Sequence, residues 1–349
     1  MTQKIGRIRR PPEIAHATSQ TSRAKMCLIL LSYEPQNNNR LVVLSNRDEF
    51  YNRSSERAHY WSVQEIRSAV SSTDKDDDDD DDDEKPSATI LAGRDSVGGG
   101  TWLGIDPKRN RFAAVTNFRM GMGTCLPRSS VVVNKKSNNQ SQSRSRKRSR
   151  GGLPIDFLAS DMDSMAFLRQ SHIADGNNYG GFNMLVFDGK TLAYASNRKL
   201  DEVGGGRPRE LTGGIYGLCN GLLDDPWPKV VKGKELLKAK LSEHELISSD
   251  NNKDSAGISS LLDIMQDTER PPDDLLPDTG IPIELERGYS SIFVHVPSID
   301  YGTRSSGLVI MDGDGVQLFA EREYTRRRGE EGGEESEYET DTVIFRNFA

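Results

Sequence analysis

The chain has 349 residues, room for one large domain or two ordinary ones, with 34% hydrophobic residues and a net charge of −7. That charge excludes little about partners. Asp74 to Lys85 holds ten acids and two lysines, and without this run the chain sits near +1, so no nucleic-acid or acidic-substrate preference follows.

Cys27, Cys125 and Cys219 are odd in number, widely spaced and outside any C-x-x-C or Cys/His pattern, which argues against a disulfide framework or structural zinc. No apolar run reaches the ~18 residues that span a bilayer, and the N-terminus has no apolar core of a secretory signal. A soluble protein of a reducing, cytoplasmic compartment is expected.

Residues 1–25 hold six Lys or Arg against Glu13 alone and contain Pro11-Pro12, and are expected to be a disordered extension; mitochondrial targeting is the functional alternative. Then the character changes. Met26 to Leu31 and Leu41 to Leu44 are apolar runs joined by Asn37-Asn38-Asn39, the pattern of a β-hairpin over 27–45. The second run ends in Ser45-Asn46-Arg47-Asp48-Glu49-Phe50-Tyr51-Asn52-Arg53, a dense polar cluster that a strand end would present to a cleft.

Residues 71–87 form an acidic low-complexity insertion. Ile90 to Ala92 reads as a strand, and Gly98-Gly99-Gly100-Thr101-Trp102 as a tight turn, since no G-K-[ST] follows and no helix opens there. Phe112 to Arg119 is a buried strand ending in polar groups at Asn117. Residues 128–150, with eight Lys or Arg and no acid, read as a basic insertion whose Ser-Arg spacing lacks the aromatics of specific RNA contact.

From Leu153 the apolar period turns helical through Leu168, with Pro154 suited to a first turn. Gly181 to Phe187 and Leu192 to Tyr194 predict a hairpin around Asp188-Gly189-Lys190. Gly214 to Asn220 is a short strand ending in an amide, and Asp225-Pro226-Trp227-Pro228 opens a helix through Leu241. Residues 243–255 read as polar loop, Ile258 to Gln266 as a helix, and 271–283 as a Pro/Asp linker. Ser291 to Val296 and Gly307 to Met311 are expected strands around a turn at Tyr301 to Arg304. Val316 to Ala320 and Thr342 to Phe345 are further strands, the last preceded by an acidic insertion over 326–341.

With strand-rich blocks flanking a helical centre and no β-α-β alternation, the expected class is α+β with mainly antiparallel sheets, in one domain over 26–349.

The segments MCLIL, LVVLSNRDEFYNR, ILAGRD, GGTWLGI, RFAAVTNFR, GFNMLVFD, YGLCNGLLDDPWPKV and YGTRSSGLVIMD occur in an order that resembles the NRDE family, the transport and Golgi organisation protein 2 family, over about residues 26–320. The resemblance implies a four-layer αββα sandwich of N-terminal nucleophile hydrolase type. It implies roles in Golgi organisation and protein secretion, with secretory-pathway components as partners, Golgi association, and a small-molecule or lipid ligand. Haem is a candidate cargo and no cofactor is required.

In such hydrolases a cysteine freed at the chain start is activated by its own α-amine. Cys27 directly follows Met26 and matches that position. By the same resemblance Arg47 and Asp48 would hold the amine and thiolate, Asn117 and Asn220 would donate to an oxyanion, and Arg304 would stabilise charge nearby. The alternative function is thus a cysteine amidohydrolase or acyltransferase acting on a linear amide or thioester. It requires that the residues before Cys27 be absent from the mature chain. Cys219 and Cys125 are taken as structural and Asn183 as a turn or ladder residue. His59, His172, His244 and His295 lack partners at catalytic spacing.

Overall fold

The computed structural model describes residues 27–62, 89–119, 148–170, 178–198, 206–243, 251–326, 338–346 and 348, with side chains from 256 onward in the segment that opens at 251. The expected N-terminal extension, the acidic insertion and most of the basic one lie outside them. The expected hairpin is present as β1 (Cys27–Glu34) and β2 (Arg40–Phe50), antiparallel, with Cys27 opposite Arg47. Asn38 and Asn39 in the connecting turn take φ of 49° and 55°, a left-handed conformation that asparagine tolerates better than most residues.

The next strands, β3 (Ser55–Ser62), β4 (Thr89–Asp95), β5 (Leu103–Asp106) and β6 (Arg111–Asn117), belong to a second sheet. The helix expected over 153–168 is two helices, α1 (Gly152–Ala159) and α2 (Ser164–Leu168). The break has a capping cause. The Asp163 carboxylate accepts from the Ala166 N–H at 2.7 Å and starts a new helix. The second sheet continues with β7 (Phe182–Phe187), β8 (Leu192–Ser196) and the two-residue β9 (Arg209–Glu210), in chain order β3 to β9.

The chain then returns to the first sheet with β10 (Gly214–Leu218), followed by α3 (Pro228–Glu243), α4 (Asn251–Ile264) and α5 (Ile283–Gly288). Helix α4 starts inside the segment expected as polar loop. Of the expected strand over 291–296 only β11 (His295–Val296) is extended, and β12 (Tyr301–Asp312) already begins where a turn was expected. The reason is pairing: Tyr301, Gly302 and Thr303 sit opposite Phe50, Glu49 and Asp48 of β2. β13 (Gly315–Arg326) and β14 (Tyr338–Phe345) complete a sheet ordered β10-β1-β2-β12-β13-β14, with β11 against β12. β14 opens at Tyr338, four residues earlier than expected. The strand pairs of both sheets are antiparallel.

Period-2 alternation sends each strand's apolar residues to two different cores. Even-numbered residues of β1 and β2, such as Leu28, Leu30, Val42 and Leu44, pack with Val230, Leu237, Leu262 and Met265 of the helical segment around α3 and α4. Odd-numbered Ile29, Leu31, Leu41 and Val43 pack against Leu91, Phe112, Leu185 and Tyr194 of the second sheet. The far face of that sheet, with Ala113, Met184 and Val186, packs on Leu153, Phe157 and Leu168. The mixed α and β architecture with mainly antiparallel sheets is the expected one.

At the polar end of β2 the same alternation continues. Asn46 faces the helical side, where its Nδ2 donates to the Met265 and Ile292 carbonyls at 2.9 Å each and its Oδ1 accepts from Ser306 at 2.6 Å. Asn46→Ala leaves two buried carbonyls without their donor, so a loss of about 3 kcal/mol in urea unfolding is expected. A loss no larger than the ~0.5 kcal/mol of an ordinary surface substitution would contradict this role.

Candidate functional site

The odd-numbered residues at the end of β2 face a cavity of about 310 Å³ between the two sheets. Its wall includes Cys27, Arg47, Asp48, Glu49 and Arg53 from the first hairpin and the turn after it. Asp95, Gly100, Thr101, Trp102, Val115 and Asn117 come from the second sheet, and residues 148–151 from the segment before α1. Two sequence-distant backbones cross there. A Cβ on Gly100 would collide with the Gly151 backbone, and the Thr101 N–H donates to the Gly151 carbonyl at 3.0 Å. That crossing brings the end of the basic insertion to the cysteine.

Arg47 is buried, 4% exposed. Its guanidinium stacks on the Trp102 ring at 4.4 Å, and Nη1 donates to Ser55 Oγ at 3.2 Å. Nη2 is buried without a hydrogen-bond partner among the described residues. A Cβ on Gly93 would lie 2.5 Å from Trp102, so the glycine makes room for the ring that carries the arginine.

Asp48 is 1% exposed. Its Oδ1 accepts from Thr303 Oγ1 at 2.7 Å, its backbone carbonyl accepts from the Tyr301 hydroxyl at 2.9 Å, and Oδ2 has no hydrogen-bond partner among the described residues. Burial pushes its carboxyl up to about 6, against the pull of Lys229, Thr303 and Arg47. Burial, and next the Asp48 charge, likewise push the Cys27 thiol up to about 12, although the Asp48 backbone N–H and Arg47 favour the thiolate. With a peptide bond before it, Cys27 is therefore a protonated thiol at neutral pH.

Arg53 is committed to acids: its Nε donates to Asp95 at 2.9 Å and lies 3.4 Å from Glu49. Arg47, Arg148 and Arg150 form no ion pair with a described acid. Arg150 Nη1 donates to the Gly181 carbonyl at 3.1 Å, and burial lowers its pKa. The cleft thus presents three arginines outside any ion pair with a described acid, although the charge of Glu49 acts on Arg150 and those of Asp48 and Glu321 on Arg47.

Of the residues singled out in the sequence, Cys27, Arg47, Asp48 and Asn117 share this wall. Asn220 and Arg304 do not line it. Asn220 is fully buried and its Nδ2 donates to the Asn117 carbonyl at 2.7 Å, so it fixes the strand that carries Asn117. Arg304 sits at a bulge in β12, and its Nη1 donates to the carbonyls of Phe50, Tyr51 and Arg53 at 3.0–3.2 Å, holding the turn after β2. Asn183 is a buried hub that donates to Thr116 Oγ1 and the Gly221 carbonyl and accepts from the Tyr194 hydroxyl. Cys219 is buried in the helical-side core. His295 Nδ1 meets the hydroxyls of Tyr51 and Tyr338 at 3.1 and 2.7 Å; His172, His244 and Cys125 lie outside the described residues. Sequence reasoning missed Arg53, Trp102, Arg148 and Arg150 as wall residues, although the quoted motifs contained the first two.

The family profile described as Transport and Golgi organisation 2 matches residues 26–81 and 79–326. The Transport and Golgi organization 2 homolog of Mus musculus is 30% identical over 335 residues, 92% of this chain and 99% of that protein. The Homo sapiens homolog is 31% identical over 311 residues, 85% of this chain and 92% of its own length. Transport and Golgi organization protein 2 of Drosophila melanogaster is 25% identical over 297 residues, 82% and 87% of the two chains.

The Asp48 carboxyl binds its proton more tightly folded, at about 6, than at its ordinary 3.8. Its contribution to stability is therefore fully present below 3.8 and lost as pH rises through about 6. Between pH 4 and 7 the wild type should lose about 2 kcal/mol relative to Asp48→Asn in urea unfolding. A difference between the two that does not change with pH would contradict a buried, proton-hungry Asp48.

Proposed function

The chain belongs to the transport and Golgi organisation 2 family, and from that premise we propose that it serves transport and Golgi organisation by holding an anionic small molecule or lipid head group in the Cys27 cleft. The observation that carries this reading is Arg47 Nη2, a buried cationic donor on the wall of a cavity with no hydrogen-bond partner among the described residues. Leaving such a donor unmet costs about 1–3 kcal/mol or more, which a ligand that accepts its hydrogen bond recovers. Arg148 and Arg150 add positive charge at the same wall, where with Arg47 and Arg53 they outnumber the carboxyl groups of Asp48, Glu49 and Asp95.

A volume of about 310 Å³ is at the small end of ligand pockets. It suits a head group, with any long tail lying outside. Trp102 and Val115 supply the apolar contact. Haem, through its carboxylates, and acylated phosphate compounds, through their phosphates, share the chemistry of an anionic head on an apolar body. Among the described residues no helix is long and apolar enough to cross a membrane, so the reading is of a carrier that approaches the secretory pathway by binding.

A second reading rests on Cys27 itself. The order of packing, helices on one sheet, that sheet on the other, and helices on its far face, is read here as the αββα sandwich of N-terminal nucleophile hydrolases. Cys27 then stands at the start of β1 with the Asp48 N–H aimed at its thiol. A chain beginning at Cys27 would carry an α-amine beside that thiol, and the added positive charge would favour the thiolate.

Titration of the full chain with haem and, separately, with palmitoyl-CoA, read by tryptophan fluorescence, should show saturable binding of at least one that weakens as salt is raised. Binding of neither would overturn the carrier reading. For the second reading, a chain starting at Cys27 should hydrolyse members of an acyl-amide and thioester panel, and Cys27→Ala should not; equal rates would end it.

A further inference from the structure

The basic insertion closes with the sequence Arg146-Lys147-Arg148-Ser149-Arg150, of which residues 148–150 line the cleft, and its last serine is the residue of interest. Ser149 is exposed, belongs to neither a helix nor a strand, and lies three residues before α1 begins at Gly152. It also lines the cavity. A serine with arginines one and three positions before it, in an accessible irregular segment, is what a kinase that reads basic residues through its own acidic groups can bind and phosphorylate.

The surroundings of its hydroxyl are those that stabilise a phosphate once attached. Ser149 Oγ and Arg53 Nη2 lie 3.3 and 3.5 Å from one point, the position a Cβ on Gly98 would take, so a phosphate on Ser149 reaches Arg53. Asp95 Cγ is 3.6 Å from that point and would repel the phosphate. Its carboxylate is already occupied by the Arg53 Nε and by the N–H groups of Val97 and Gly98. Arg47, Arg148 and Arg150 share the same wall, Arg47 with a buried donor that has no hydrogen-bond partner among the described residues.

We propose that Ser149 is a phosphorylation site whose phosphate folds onto the arginines of the cleft and occupies the anion position there, so that modification shuts out the ligand. In the reaction the Ser149 oxygen forms a bond to the γ-phosphorus of a nucleoside triphosphate. The bond from that phosphorus to the leaving nucleoside diphosphate breaks, and the hydroxyl proton passes to the kinase's base. The added charge of about −1.5 to −2 at neutral pH would meet Arg53 and Arg47 in charge-assisted hydrogen bonds. The control of binding rests on the anionic-ligand reading above, whereas the phosphate's attachment and its contact with arginine do not.

The test treats the full chain and Ser149→Ala with a basophilic Ser/Thr kinase and MgATP, maps phosphate by mass spectrometry, and follows the phosphoserine by ³¹P NMR against pH. Expected are phosphate on Ser149, a second phosphate pKa about one unit below that of a free phosphopeptide, and its return toward the free value in Arg53→Gln. Palmitoyl-CoA or haem, whichever binds the untreated chain, should then bind the treated wild type roughly tenfold more weakly than the treated Ser149→Ala, whose other sites are modified alike. An unmodified Ser149, a phosphate that titrates as in a free peptide, or equal affinities would overturn the proposal. If neither probe binds the untreated chain, the carrier reading falls, and the ³¹P titration still decides whether the phosphate docks on the arginines.

Discussion

Burial of charge at the end of β2 is the constraint on which the rest of the structure depends. Four consecutive polar residues, Asn46 to Glu49, are each at most 4% exposed, an arrangement that a strand tolerates only if both of its faces supply partners. Alternation divides the work. Asn46 and Thr303-bound Asp48 tie β2 to the helical side and to β12, while Arg47 and Glu49 face the other sheet with Cys27. Asn46 is fixed by hydrogen bonds to two carbonyls and a hydroxyl. Arg47 and Asp48 are only partly satisfied among the described residues, and both line the cavity together with Glu49. Buried polar groups that a fold leaves unmet reduce its stability, and here they stand beside the cavity.

Much of the fold was legible because its signals are local. The hairpin over 27–45, the strands at Ile90, Phe112 and Phe182, and the helix after Pro228 announce themselves by apolar runs and turn residues. What was hidden depended on distant pairing. β3, Ser55 to Ser62, carries a bulge between Glu56 and His59 that breaks the alternation by which a strand is recognised. Tyr301 to Thr303 look like a turn by composition and become strand only because β2 lies opposite. Asp163 is an ordinary acid in the sequence and a helix cap in the fold.

The site divides in the same way. Cys27, Arg47, Asp48 and Asn117 were visible as polar groups at strand ends, and they converge. Arg148 and Arg150 were read as part of a nonspecific basic loop, because nothing local reveals that Gly100 and Gly151 let two backbones cross at the cleft. Arg304 and Asn220 carry the right chemistry for charge stabilisation, yet neither lines the cavity, and Arg304 Nη1 and Asn220 Nδ2 donate to carbonyls of Phe50, Tyr51 and Arg53 and of Asn117. A bulge at Arg304, invisible in the sequence, turns it toward that task. Charge and residue type identify candidates; the hydrogen bonds already made decide which remain available to a ligand.

Arg47 is where stability and binding should separate most cleanly. Urea unfolding and palmitoyl-CoA or haem affinity, measured together on the wild type and Arg47→Gln, compare the two directly. The expected result is an affinity loss of roughly tenfold or more with a stability loss of no more than about 1 kcal/mol, since the Ser55 hydrogen bond and the Trp102 stacking are lost while a buried donor without a partner among the described residues is removed. A stability loss of several kcal/mol with affinity intact would contradict it, and would make Arg47 a structural cation rather than the ligand's anchor.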